Sequence, residues 1–231
     1  MLYRNVSRRL DAGQARTGLP RHARIQANRR ALDPSSLLKP TTTTRPPRRL
    51  AIDSAGYATT ARRIHSPNHD ARPPGTPIDL IVVHGISLPP GEFGGPAIAA
   101  LFTNTLDPDE HPSFAAIAEL RVSAHFLIRR DGELIQFVGC NERAWHAGVS
   151  SWKGRARCND FSIGVELEGT DELPYAAAQY TALARLVRAL KRVYPIADLV
   201  GHSDIAPGRK TDPGPGFDWA RVARLTARRP G

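Results

Sequence analysis

From residue 176 to 194 the apolar positions Tyr180, Leu183, Ala184, Val187, Leu190, Val193 and Tyr194 recur at helical spacing, and Pro195 ends the pattern. The other apolar runs are short: residues 78–83 with their core at 80–83, then 123–128, 134–138 and 161–167. One long amphipathic helix among short extended runs predicts an α/β (α+β) fold, a central mixed β-sheet flanked by helices. Asp131-Gly132 between two of the runs signals a hairpin. Residues 97–102 read as a short helix, and the breaker-rich stretch 88–96 before them as a substrate-facing loop. The chain shows no internal repeat.

With 231 residues, the chain fits one domain plus an appendage. Its net charge of +10 suggests a nucleic-acid binder until it is mapped. Residues 1–63 hold 14 Lys and Arg against 3 Asp and Glu, and the remainder holds 18 against 19. The basicity therefore belongs to an extension, residues 1–60, which is poor in large apolar side chains and is expected to be disordered. Few aromatic residues interleave with its charges, so no nucleic-acid partner is expected. The folded part, residues 61–231, is nearly neutral. No run has the length of a secretory signal core or a membrane span, so a cytoplasmic protein without a membrane partner is expected. Cys140 and Cys158 are expected to be reduced.

Residues 201–215 concentrate the chemistry. His202, Lys210 and Asp212 share a loop restricted by Pro207, Pro213 and Pro215. Neutral imidazole and carboxylate oxygen are ligands of hydrolytic zinc, which takes three protein ligands and leaves one position open. His202 and Asp212 supply two, and His84, at the end of the first apolar run, is the best third. His125 and His146 also lie near extended runs, and spacing alone does not sort these four histidines. Glu166 and Glu168 are two residues apart on one strand face, so either can serve as an acid or base.

Several segments together carry a resemblance: residues 82–95 (Val-Val-His-Gly-Ile-Ser-Leu-Pro-Pro-Gly-Glu-Phe-Gly-Gly), 121–125, 143–148 (Arg-Ala-Trp-His-Ala-Gly), 158–169 and 202–219. In this order they resemble the zinc amidase family of 1,6-anhydro-N-acetylmuramoyl-L-alanine amidases, a group that includes a bacteriophage lysozyme-like amidase and the peptidoglycan recognition proteins. The match runs from about residue 61 to 222.

The resemblance implies Zn2+ held by His84, His202 and Asp212, with Glu166 and Lys210 as the catalytic pair. Glu166 would take the proton from an attacking water and pass it to the leaving amine, while Lys210 would stabilise the oxyanion. The implied partner is an anhydro-muropeptide of peptidoglycan recycling, cleaved between muramic acid and L-alanine. An amidase of intact wall and a non-catalytic muropeptide-binding module are the alternatives. Arg121, Trp145, His146 and Arg157 are substrate-binding candidates, with His125 and His146 also readable as supports for the ligands. One departure stands out: Gly85 replaces the Asn that usually follows the first histidine.

Overall fold

Residues 80–86 and 162–168 are buried along nearly their whole length, as strands interior to a sheet covered on both faces must be. The computed structural model describes residues 49–227. In chain order its elements are β1 (Arg62–Arg63), β2 (His69–Ala71), β3 (Leu80–Ile86), α1 (Ala97–Phe102), β4 (Phe126–Ile128), β5 (Leu134–Gln136), β6 (Glu142–Ala144), β7 (Ser151–Trp152), β8 (Arg155–Ala156), β9 (Ser162–Glu168), α2 (Ala177–Leu190), β10 (Asp198–Gly201), α3 (His202–Ile205) and α4 (Trp219–Ala227), with a 3-10 turn at Cys158–Asp160. Six strands form the main sheet in the order β1-β5-β4-β9-β3-β10. It is mixed: β3 runs parallel to β9 and β10, β9 parallel to β4, and β4 antiparallel to β5.

Side-chain alternation splits the sheet into two faces. Ile81 and Val83 of β3, with Ile163, Val165 and Leu167 of β9, meet Leu183, Leu186, Val187 and Leu190 of α2. Leu80 and Val82 pack with Ala147, Cys158, Phe161, Val200 and Ile205. Leu127 and Ile135 pack with Ile98, Leu101 and Phe102 of α1. By the same alternation His84 and Glu166 lie on the face away from α2.

Each expected strand and helix forms, with shifted ends. The long helix stops at Leu190, and residues 191–194 turn, with Tyr194 N donating to Leu190 O at 2.8 Å. Pro195 disfavours helical backbone at Tyr194, so the helix unwinds before reaching it. The run at 123–128 forms a strand only from Phe126, because Ser123 N is drawn to Trp145 O at 3.1 Å. The expected domain start at residue 61 lies inside packed structure. Ile52 bridges Ala58 antiparallel, and both are buried in the core under α2. Residues 1–48 of the expected extension lie outside the described residues. Both cysteines are buried and free, and burial pushes the Cys140 thiol up to about 12. Among the described residues, no helix is long and apolar enough to cross a membrane.

Arg72 ties the segments around the sheet's open face together. Its Nη1 donates to Asn159 O and Asp160 O, each at 3.0 Å, and its Nη2 to Ser162 O at 2.8 Å and Cys140 O at 3.1 Å. Burial pulls the guanidinium down to about 10, so it is still charged at neutral pH. Arg72→Ala leaves these carbonyls unpaired and is expected to lower unfolding free energy by about 3 kcal/mol in urea titrations, with an unchanged m-value.

Candidate active site

The ladder between β3 and β9 pairs His84 with Glu166 directly. β10 borders β3 on its other side, and α3 begins at once with His202, its start capped by Asp204 Oδ2 accepting from Gly201 N at 2.7 Å. The proline-rich loop then folds back so that Ser203 N donates to Asp212 O at 3.0 Å. Three loci far apart in the chain thus reach one point.

His84 Nδ1, His202 Nδ1 and Asp212 Oδ2 lie 2.9, 3.1 and 3.2 Å apart pairwise. Burial, and then the neighbouring His202, pull the His84 imidazole down to about 4, so it is neutral at pH 7. For Asp212, burial acts to raise the carboxyl, but its hydrogen bonds with His202 and His84 overcome this and hold it well below the usual range. On the far side of His202, Nε2 lies 3.2 Å from Ala147 O, which can only accept. Ala147 O can take the His202 proton at Nε2, and when it does Nδ1 presents a lone pair to the same point. In the metal-free site an imidazole N–H can turn inward to Asp212 Oδ2, whereas a cation at that point would take the carboxylate oxygen and the two Nδ1 lone pairs. Tetrahedral zinc with ligands at about 2.0–2.1 Å needs ligand-to-ligand edges of about 3.3 Å, close to the triangle observed. The donor set therefore fits a metal ion.

Beside this triangle stands Glu166, buried, with Oε2 lacking a partner among the described residues. Burial first, and then the Asp212 charge, push its carboxyl up to about 8, against a smaller opposite pull from Lys210. The same Lys210 charge acts on His84. A triangle of donors that fits a metal ion, an uncommitted carboxyl near neutrality and an ammonium thus act on one another. Residues 74–215 match the N-acetylmuramoyl-L-alanine amidase family. The chain belongs to that family.

This amidase is 63% identical over 178 residues to the 1,6-anhydro-N-acetylmuramyl-L-alanine amidase AmpD of Salmonella typhimurium, matching 76% of this chain and 95% of the relative. It is 62% identical to AmpD of Escherichia coli, matching 75% of this chain and 96% of the relative. A solved structure described as an Se-Met AmpD derivative superposes with a TM-score of 0.75 at 62% identity, covering 76% of this chain and 99% of the other.

The amidase's geometry separates the two glutamates that spacing left equivalent. Glu168 is committed: Oε1 accepts from Arg129 Nη1 and Gly94 N, both at 2.7 Å, and Oε2 from Arg130 N at 3.3 Å. Arg129 also donates to Gly95 O at 2.8 Å, so this ion pair anchors the loop at 88–96 to β9. Only Glu166 has a free oxygen. Of the substrate-binding candidates, His146 is buried with both ring nitrogens turned inward, to His84 Nε2 and Ser162 Oγ, and it has no nitrogen left for substrate. Arg121 is exposed and bonds Ala118 O and Glu119. Arg157 Nε pairs with Asp160 at 3.1 Å. Neither arginine bonds a ligand residue or Glu166. Trp145 is half-buried, with Nε1 unpartnered among the described residues. His125 supports the sheet, its Nδ1 accepting from Gly164 N at 3.0 Å.

Gly85 has a local reason. A Cβ there would collide with the hydroxyl of Tyr175, which is buried and donates to Pro213 O at 3.0 Å, next to Asp212. Sequence reasoning missed Tyr175 and the Arg129–Glu168 anchor, whose partners lie 38 and 39 residues away, and Ser162, which bonds Cys158 O and His146.

The carboxyl of Glu166 supplies a pH test on the metal-free protein. Its folded value near 8 exceeds the 4.5 of an ordinary glutamate. Between these values the folded state holds a proton that the unfolded chain has released, so stability falls as pH rises. In urea titrations, wild type is expected to lose stability relative to Glu166→Gln between pH 5 and 8, on the order of 1 kcal/mol per pH unit.

Proposed function

We propose that this amidase cleaves the amide between the lactyl group of 1,6-anhydro-N-acetylmuramic acid and L-alanine in soluble muropeptides, in the cytoplasm, with zinc held by His84, His202 and Asp212. The observation that carries this reading is the free Oε2 of Glu166 standing beside the triangle of His84, His202 and Asp212. The relatives at 62–63% identity are 1,6-anhydro-N-acetylmuramyl-L-alanine amidases matched over nearly their whole length, which supports the anhydro-sugar half of the substrate.

When bound, zinc supplies a Lewis acid and lowers the pKa of a water to about 7. The charge of the bound cation would lower the Glu166 carboxyl from its metal-free value near 8, so that Oε2 would be ionised to accept the proton of the attacking water and return it to the leaving amine of alanine. A carboxyl poised near neutral pH serves both transfers better than one at 4.5. The ammonium of Lys210 faces the negative charge that develops on the carbonyl oxygen. Tyr175 and Ser203 hold the Asp212 loop through Pro213 O and Asp212 O. Arg129 and Glu168 fix the backbone at Gly94 and Gly95.

Purified protein incubated with anhydro-muropeptide is expected to release the free peptide, identified by mass spectrometry, and to leave intact sacculi largely uncut. A chelator should abolish the activity and zinc restore it. Preference for sacculi overturns the substrate assignment. Glu166→Gln is expected to lose about 100- to 10,000-fold in kcat while retaining a full equivalent of metal. Lys210→Ala should lose about 100- to 1000-fold.

A further inference from the structure

A neutral imidazole binds a metal only if the nitrogen facing it is bare, so something on the far side must hold the proton. For His202 that partner is the carbonyl of Ala147. His84 has no carbonyl or carboxylate there. Its Nε2 meets the Nδ1 of a second buried imidazole, His146, at 2.9 Å. Two facing ring nitrogens share one hydrogen, so the tautomer of His84 is decided by that of His146.

His146 is decided in turn by what lies at its Nε2, which is Ser162 Oγ at 3.1 Å. The hydroxyl has one hydrogen and a closer claimant for it, Cys158 O at 2.6 Å. A carbonyl can only accept. The hydroxyl hydrogen goes to Cys158 O, and Ser162 is left to accept from His146 Nε2–H. His146 then offers a lone pair at Nδ1, which accepts from His84 Nε2–H against the pull of Asp212 Oδ2, the acceptor 3.2 Å from His84 Nδ1. With that proton held outward, Nδ1 is bare toward His202 and Asp212.

The site is built to hold this order. A Cβ at Gly164 would collide with the His146 ring, so the ring can lie against β9 only because that position is glycine. Asn159 Oδ1 accepts from both His146 N at 3.1 Å and Ala147 N at 2.8 Å, pinning the two residues that address the two ligand imidazoles. Ser162 is fully buried, which keeps bulk water from offering it another partner.

We infer that Ser162 and His146 form a one-way hydrogen-bond relay, anchored on the carbonyl of Cys158, that holds His84 in its metal-ready tautomer. They are positioning residues acting through His84. The relay rests on the metal centre proposed above, and its test includes a readout that needs no metal.

In the metal-free full chain labelled with 15N-histidine, two-bond proton–nitrogen correlations report which ring nitrogen carries each proton. The expected result is His84 and His146 both protonated at Nε2 alone, with Ser162→Ala giving His84 a population protonated at Nδ1. Zinc affinity, measured by competition with a chromogenic chelator, is expected to fall about 10- to 100-fold in Ser162→Ala and His146→Leu. His146→Asn keeps an acceptor where Nδ1 stands and is expected to recover most of that loss. Thermal unfolding identifies any variant that fails to fold. A wild-type His84 carrying its proton on Nδ1, or His146→Leu binding zinc as tightly as His146→Asn, overturns the relay. A wild type that takes up no zinc defeats the metal centre instead, and the nitrogen correlations still decide the relay.

Discussion

Seven consecutive residues of β3 pair in parallel with seven of β9, and the ladder sets His84 opposite Glu166 in the interior of a covered sheet. Backbone hydrogen bonds along both strands fix the distance between the first ligand and the carboxyl. A slip of β3 by one residue would turn His84 onto the face packed by α2 and away from Glu166. The interdigitation of Ile81, Val83, Ile163 and Val165 with that helix is what forbids the slip. The chemistry on one face is thus held in register by the hydrocarbon on the other.

Burial does two things to the groups so placed. It strips water from Glu166, which responds by holding its proton to about pH 8, and it strips water from His84, which responds by losing its proton above about pH 4. Opposite protonation states at neutral pH follow from a single cause, because desolvation disfavours whichever form is charged. Asp212 escapes the same fate through its two imidazole partners.

Much of this was legible in the chain. The helix from Ala177 to Leu190 and the strands of the sheet follow from periodicity, because each buries a face whose spacing is local. His84, His202 and Asp212 were legible as a ligand set from residue chemistry and resemblance, and the structure brings them together. Periodicity could not choose between Glu166 and Glu168, which share a face. The choice lies with Arg129, 39 residues from Glu168. Arg121 and Arg157 have the right charge for carboxylates, but pair with Glu119 and Asp160 near them in sequence. His146 read as substrate-facing because a histidine beside a tryptophan shows no sign of where its ring turns. Gly164, which admits that ring, gives no signal from its neighbours in sequence. The packed stretch at Leu50 to Ala58 escaped notice because its apolar residues are few and irregularly spaced.

The order of the ligands along the polypeptide has a consequence for biosynthesis. His84 and Glu166 belong to strands complete by residue 168, whereas His202 and Asp212 arrive with the loop that follows β10. A nascent domain emerging from the ribosome can zip β3 onto β9 while two of the three proposed ligands are still unmade. Under the proposed metal centre, a cation held by all three side chains has to await translation of Asp212, which places loading among the closing events of maturation.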